Sequence, residues 1–139
     1  MADAPPPLVA ELLWSDGLRF DATSGSNART AIVDGDGNAG PSPTQYAAIG
    51  LAGCMAADVV DIIRKGRHPL RGLRVTFTGT RAETPPRRFV SISLRFAIQG
   101  AVPSEAVDRA IALSRQKYCS VWHSFRQDID LSTTFDITP

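Results

Sequence analysis

The most apolar stretch of the chain lies near its middle and predicts a long helix. Two aspartates are the only charged residues between Tyr46 and Ile63. The start is marked by Ser42-Pro43-Thr44-Gln45, where a capping serine precedes a proline at the first helical position and a glutamine three residues after the cap. Arg64-Lys65-Gly66 supplies terminal cations and a glycine C-cap. We expect a helix over residues 43–65 that is apolar nearly all round and so belongs to a core, with room for a subunit interface.

A second helix is predicted after Pro103, with Ser104 as its cap. Its apolar residues recur at spacings of three and four, as in a helix that packs one face on a core. Cys119 falls beside this stripe, inside the predicted helix, and His123 lies four residues further on, so the two could share a face as a thiol–imidazole pair or half a metal site. A zinc site would need further ligands, and the chain has only two histidines and two cysteines. The stripe comprises Val107, Ala110, Ile111, Ser114, Tyr118, Val121, Trp122 and Phe125.

Alternating or β-branched segments predict strands on either side of the first helix. The first two flank Ser15-Asp16-Gly17, a turn sequence typical of a hairpin. The fourth and fifth alternate apolar with polar residues and should each have one buried face. The order β-β-β-α-β-β-α-β predicts an α+β fold. The six segments are Leu8–Trp14, Leu18–Ser24, Ala28–Asp34, Leu73–Thr78, Val90–Ile98 and Leu131–Ile137.

Length and charge narrow the classes of function. The 139 residues suffice for one domain, which we expect over residues 8–139 after a proline-rich N-terminal tail at 1–7. A formal net charge of +1 provides no basic surface for nucleic acid. No charge-free apolar run reaches the roughly 18 residues that cross a bilayer, and the N-terminus lacks a signal-like pattern. We therefore expect a cytoplasmic protein that binds neither nucleic acid nor membrane.

The two cysteines, Cys54 and Cys119, are the leading candidates for chemistry. A buried cysteine is often only a small hydrophobic residue, and that interpretation stays open for Cys54. Its position in the middle of a helix excludes help from the helix dipole, and Asp58, four residues on, would disfavour a thiolate on the same face. In a reducing compartment a bond between the two cysteines would be transient and linked to redox chemistry.

Three segments resemble the OsmC/Ohr family. They are Gly40-Pro41-Ser42-Pro43, the cysteine-bearing helix segment Leu51–Ile63, and Lys117-Tyr118-Cys119-Ser120-Val121. The likeness covers roughly residues 8–138, and the order of strands and helices matches as well. The resemblance implies an intertwined homodimer with two central helices and active sites at the subunit interface.

The resemblance also implies a thiol-dependent peroxidase acting on organic hydroperoxides. Cys54 would attack the peroxide and become a sulfenic acid, and Cys119 would resolve it as a disulfide. A dithiol or a lipoylated protein would then reduce the enzyme, so no metal or organic cofactor is needed.

The sequence departs from the family pattern at the start of the first helix. The peroxidase members carry a glutamate there that steers an arginine onto the thiolate, whereas this chain has Thr44 and Gln45. Arg19 is the best candidate for the arginine and Arg29 a weaker one. We therefore expect weak peroxidase activity. The alternative is a non-catalytic dimeric module that binds a small apolar or acyl ligand at the subunit interface.

Overall fold

In the computed structural model the described residues are 4–25 and 29–139, without the side chain of Arg29. These residues form a mixed α+β structure, as the sequence predicts, with two three-stranded sheets. Residues 4–7 lie outside any helix or strand and are exposed. Among the described residues, the elements are β1 Ala10–Asp16, β2 Arg19–Ser24, β3 Arg29–Asp34, α1 Pro43–Lys65, β4 Gly72–Arg81, β5 Phe89–Gln99, α2 Ser104–Leu113, a π-helical turn Ser114–Tyr118, α3 Ser120–Ser124 and β6 Asp130–Thr138.

The chain divides into two compact units, Met1–Ala47 and Ala48–Pro139. The first contains an antiparallel sheet in the order β1-β2-β3. The predicted hairpin is present, with Gly17 in the left-handed region (φ 52°) that glycine adopts without strain. Ala28, the predicted first residue of the third strand, lies outside the described residues. A single domain over residues 8–139 stays a prediction.

The second unit contains a sheet in the order β4-β5-β6, in which β4 and β5 are antiparallel and β5 and β6 are parallel. The alternation along β5 places Ile92, Leu94, Phe96 and Ile98 on one buried face. A parallel neighbour needs a crossover connection, and the segment from α2 to α3 supplies it between β5 and β6. The two predicted strands that begin at Leu73 and Val90 are confirmed and extend further.

The N-terminus of α1 has the predicted capping box. The backbone N–H of Gln45 donates to Ser42 Oγ at 3.3 Å, and the backbone N–H of Ser42 donates to Gln45 Oε1 at 2.8 Å. Both bonds satisfy amides that the first helical turn leaves without partners. The helix covers Pro43–Lys65, the range that the sequence predicts.

Among residues 4–25 and 29–139, one face of α1 is buried. Leu51, Met55, Val59 and Ile63, spaced by four, belong to the hydrophobic core of the second unit. Residues on the opposite face of α1 are exposed, although several of them are apolar. The sequence predicted a helix that is buried on nearly every face, and this prediction is met on one face.

By length and composition α1 would also pass as a membrane-spanning helix, with a mean hydropathy of 1.7 over its most apolar window. Asp58 and Asp61 interrupt this stretch, so the expectation that no charge-free apolar run reaches about 18 residues is not contradicted. Core helices meet the same criterion, and the stripe that α1 contributes to the core supports that assignment.

The second predicted helix is interrupted, which corrects two expectations. Pro103 occupies the N-cap without a side-chain hydrogen bond, so Ser104 is the first helical residue and not the cap. After Leu113 the backbone forms the π-helical turn, closed by the Cys119 N–H donating to the Ser114 carbonyl at 2.8 Å. Cys119 then has an extended backbone (φ −75°, ψ 98°) and lies between helices rather than inside one.

The π-helical turn changes which residues face the core. A π turn inserts one residue into the helical repeat. Tyr118, predicted on the apolar stripe, is 51% exposed, whereas its neighbour Cys119 is completely buried. The shift therefore places a thiol, instead of a tyrosine ring, against α1 and the core.

Candidate functional site

The structure brings the two cysteines together. Cys54 projects from the middle of α1 and Cys119 from the break before α3, and both are free thiols. Their Sγ atoms and a carboxylate oxygen of Asp58 all lie within 4.8 Å of one another. A disulfide bond of about 2.05 Å would therefore need the two sulfurs to approach by at most about 3 Å.

The two thiols differ in accessibility. Cys54 is half-buried and packs on the edge of the hydrophobic core, whereas Cys119 is fully buried within it. A molecule arriving from solvent can therefore meet Cys54 first. This asymmetry suits a pair in which one thiol reacts with a substrate and the other reacts with the first thiol.

Burial also sets the ionisation of Cys119. Removal from water, followed by its hydrogen bond and charge interaction with Cys54, raises the pKa of Cys119 from 9.0 to about 11. The backbone N–H groups of Trp122 and Val121 oppose the rise; the Trp122 N–H donates to Cys119 Sγ at 3.3 Å. At neutral pH the Cys119 thiol is therefore overwhelmingly protonated.

Asp58 and Ser114 complete the cluster. Ser114 Oγ donates a hydrogen bond of 2.8 Å to Asp58 Oδ2, and Ser114 is completely buried. The sequence indicated Asp58 only as a neighbour that would disfavour a thiolate, and Ser114 only as a member of an apolar stripe. The spacing of four between Cys54 and Asp58 was the available signal for the carboxylate, since such residues share a helix face.

The predicted pairing of Cys119 with His123 is not formed. The His123 ring nitrogen Nε2 is 3.0 Å from the carbonyl oxygen of Arg115, and Cys119, at the N-cap of α3, has an extended rather than a helical backbone. His68 is half-buried in the turn after α1.

Arg19 lies at the start of β2 in the first unit and is exposed. Its charge helps to lower the pKa of Asp34, after the hydrogen bonds that this carboxylate accepts from the backbone N–H groups of Ala39, Asp36 and Asn38. Thr44 and Gln45 place no carboxylate in the first turn of α1.

Two thiols and one carboxylate are ligands that a soft divalent cation accepts. A structural zinc site uses four protein ligands, and only Cys54, Asp58 and Cys119 converge among the described residues that carry such groups. The set therefore fits a thiol redox pair with an adjacent carboxylate better than a closed metal site.

In this α+β chain a half-buried thiol on a core helix and a buried thiol across from it are placed so that a disulfide can form between them. Comparison with known proteins identifies the family. A family model described as OsmC-like protein matches residues 35–134, and the chain belongs to this family. Protein YhfA of Escherichia coli strain K12 is 33% identical over 131 residues, covering 94% of this chain and 98% of YhfA.

Solved structures share the fold. A hypothetical protein from Aquifex aeolicus VF5 superposes with a TM-score of 0.88 at 22% identity, covering 96% of this chain and 98% of the other. An organic hydroperoxide resistance protein from Elizabethkingia anophelis superposes with a TM-score of 0.70 at 18% identity, covering 99% and 100% of the two chains. The predicted family and fold class are therefore confirmed.

Proposed function

We propose that the protein is a thiol-dependent peroxidase that reduces organic hydroperoxides through Cys54 and Cys119. The observation that carries the proposal is the convergence of a half-buried and a fully buried thiol within 4.8 Å. Membership of the OsmC family and the likeness to a hydroperoxide resistance protein support the substrate class. The apolar core beside Cys54 favours a hydrophobic peroxide over hydrogen peroxide.

The chemistry requires two steps on the protein. The Cys54 thiolate attacks one peroxide oxygen, the O–O bond breaks, and the departing alkoxide takes a proton to become the alcohol. Cys54 is then a sulfenic acid, oxidised by two electrons. The sulfur of Cys119 displaces the hydroxyl group of the sulfenic acid, which leaves as water and creates the disulfide. A dithiol, such as a lipoyl group, reduces the disulfide and restores both thiols.

The proposal includes a homodimer, because two apolar surfaces of the chain lack a covering partner among the described residues. Leu12, Leu13 and Trp14 of the edge strand β1 are between 57% and 72% exposed. On α1, Ile49, Gly53 and Ala57 form an exposed face opposite the core. Large exposed apolar patches mark interfaces, and an open strand edge invites pairing.

Arg19 is proposed as the cation that favours the Cys54 thiolate, on the strength of the family resemblance. Arg29, whose side chain lies outside the described residues, is the second candidate. Arg19→Ala should reduce peroxide turnover, and Arg29→Ala is its matched comparison. Restoring a carboxylate at the start of α1, as Gln45→Glu or Thr44→Glu, should raise turnover by steering the arginine.

The decisive experiment is peroxide consumption by the purified protein with cumene hydroperoxide and dihydrolipoamide. We expect slow turnover in the wild type, none above background in Cys54→Ser, and loss of sustained turnover in Cys119→Ser. Full activity in Cys54→Ser would contradict the proposal. Absence of turnover in the wild type, combined with binding of a fatty-acyl probe, would favour the non-catalytic apolar-ligand module instead.

A further inference from the structure

Asp58 is the one charged group in the thiol cluster, and its position needs an explanation. Its carboxylate oxygen lies within 4.8 Å of both sulfurs, and Ser114 holds it through a 2.8 Å hydrogen bond. A carboxylate so close to two thiols can exchange a proton with either of them. Its place in the proposed reaction is set by the step that most needs such an exchange.

The second step of the proposed reaction presents a proton-transfer problem. Cys119 must lose its proton as it bonds to Cys54, and the hydroxyl group leaving Cys54 must gain one. Burial raises the pKa of Cys119 to about 11. Only about one molecule in ten thousand would carry a Cys119 thiolate at pH 7. Efficient resolution therefore needs a base beside Cys119 and an acid beside the leaving oxygen.

We propose that Asp58 carries the proton in the resolving step. The inference rests on the proposed function and adds a catalytic residue to it. As the sulfur–sulfur bond forms, the Asp58 carboxylate accepts the proton of the Cys119 thiol. The sulfur–oxygen bond of the Cys54 sulfenic acid breaks with its electron pair on oxygen, and Asp58 returns the proton so that the oxygen leaves as water. No outside reductant or oxidant enters this step, and Asp58 ends it ionised.

Ser114 is a positioning residue in this mechanism. Its hydroxyl lies in the π-helical turn that also delivers Cys119, so one local structure orients both the carboxylate and the resolving thiol. A separation of up to 4.8 Å can be closed by a small side-chain rotation or bridged by one water, as apo active sites commonly require.

The test compares Asp58→Asn with Asp61→Asn in single-turnover experiments. Asp61 lies one turn further along α1, is exposed and pairs with Lys65 at 2.8 Å, so its substitution is the matched control. Reduced protein is mixed with one equivalent of cumene hydroperoxide. Dimedone labelling then measures the Cys54 sulfenic acid, and thiol counting measures the disulfide.

In Asp58→Asn we expect the disulfide to form roughly 10²- to 10⁴-fold more slowly, the usual contribution of a general acid–base group. Sulfenic acid formation should be as fast as in the wild type, because the proposed proton transfer belongs to the second step. The second step alone should slow, which a purely structural defect would not produce. Asp61→Asn should leave both unchanged, and Ser114→Ala should slow only the second step, by less than Asp58→Asn.

Three results would overturn the inference. If the sulfenic acid forms and Asp58→Asn makes the disulfide at the wild-type rate, the peroxidase function stands without a role for Asp58. If both steps slow equally in Asp58→Asn, the carboxylate has only a structural role. A wild type that forms no sulfenic acid would overturn the peroxidase function itself, and this inference with it.

Discussion

At the scale of single residues, burial of Cys119 links its ionisation to the stability of the fold. Burial raises the pKa of Cys119 from 9.0 to about 11. Between these values the unfolded chain releases a proton that the folded protein retains. The stabilisation from the protonated thiol is therefore complete below about pH 9 and is lost as the pH rises toward 11.

We predict that the free energy of unfolding falls more steeply with pH in the wild type than in Cys119→Ala over that window. Urea denaturation at several pH values between 8 and 11 measures the two slopes. The test compares the slopes and not the free energies of unfolding themselves, because removing a buried side chain lowers the free energy of unfolding at every pH. Equal slopes would show that Cys119 is not desolvated in solution.

Asp34 provides the opposite case in the first unit. Hydrogen bonds from the backbone N–H groups of Ala39, Asp36 and Asn38, and the charge of Arg19, lower the pKa of Asp34. Its stabilising effect is present above the ordinary pKa of 3.8 and is lost as the pH falls through the lowered value.

Asp34→Asn should therefore reduce the free energy of unfolding at neutral pH. It should also make the fall of that free energy at acid pH shallower. The exposed Asp36→Asn in the same turn is the control and should change neither. Denaturant titrations between pH 2 and 7 measure both effects. If the free energy of unfolding of Asp34→Asn falls at acid pH as steeply as that of the wild type, the stabilising role of the Asp34 carboxylate is contradicted.

The roles of individual residues were the part of the site that was hardest to predict from the sequence. Cys54 and Cys119 were identifiable because they are the only two cysteines and lie on predicted helices. The hydrogen bond from Ser114 to Asp58 joins residues 56 positions apart, and no local pattern encodes such a contact. The role of Arg19 stays a prediction for the same reason.

At the scale of elements, local capping chemistry decides where α1 begins. Ser42 Oγ accepts the N–H of Gln45, whereas α2 begins without a side-chain cap although Ser104 is its first residue. We predict that Ser42→Ala costs about 1 kcal/mol of stability. Ser104→Ala should stay within about 0.5 kcal/mol, as for an ordinary surface change. Equal costs, measured by urea denaturation, would show that the capping box does not stabilise the helix.

The boundaries of α1 were predictable because caps, proline and glycine act within a few residues. The interruption at Cys119 was not, because a period of 3.6 looks the same on either side of a one-residue insertion. The insertion exchanged the positions of Tyr118 and Cys119 relative to the core. Strand order was only partly predictable: alternation indicates each strand, but the parallel pairing of β5 with β6 depends on the crossover between them.

At the scale of the whole molecule, two mid-helix glycines point to a second chain. A glycine inside a helix costs about 1 kcal/mol relative to alanine. An added Cβ at Gly50 or Gly53 would meet no atom within 4 Å. The described residues of one chain therefore give no packing reason for either glycine. Close approach of another backbone would give one, which agrees with the proposed dimer.

The last prediction tests whether the exposed face of α1 forms the dimer interface, by placing a glutamate on that face and, in a control variant, another on a loop. Ala57→Glu places a carboxylate on the exposed apolar face of α1, whereas Ala101→Glu places one on an exposed loop between β5 and α2. If α1 packs against its copy, burying an unpaired charge should convert the dimer of Ala57→Glu to monomer at micromolar concentration. Ala101→Glu should remain dimeric, and circular dichroism should show equal helix content in both. Sedimentation equilibrium distinguishes the monomer from the dimer.

If Ala57→Glu is dimeric, the interface lies on another surface, and the exposed edge of β1 is the next to be tested. A monomeric wild type would remove the dimer altogether.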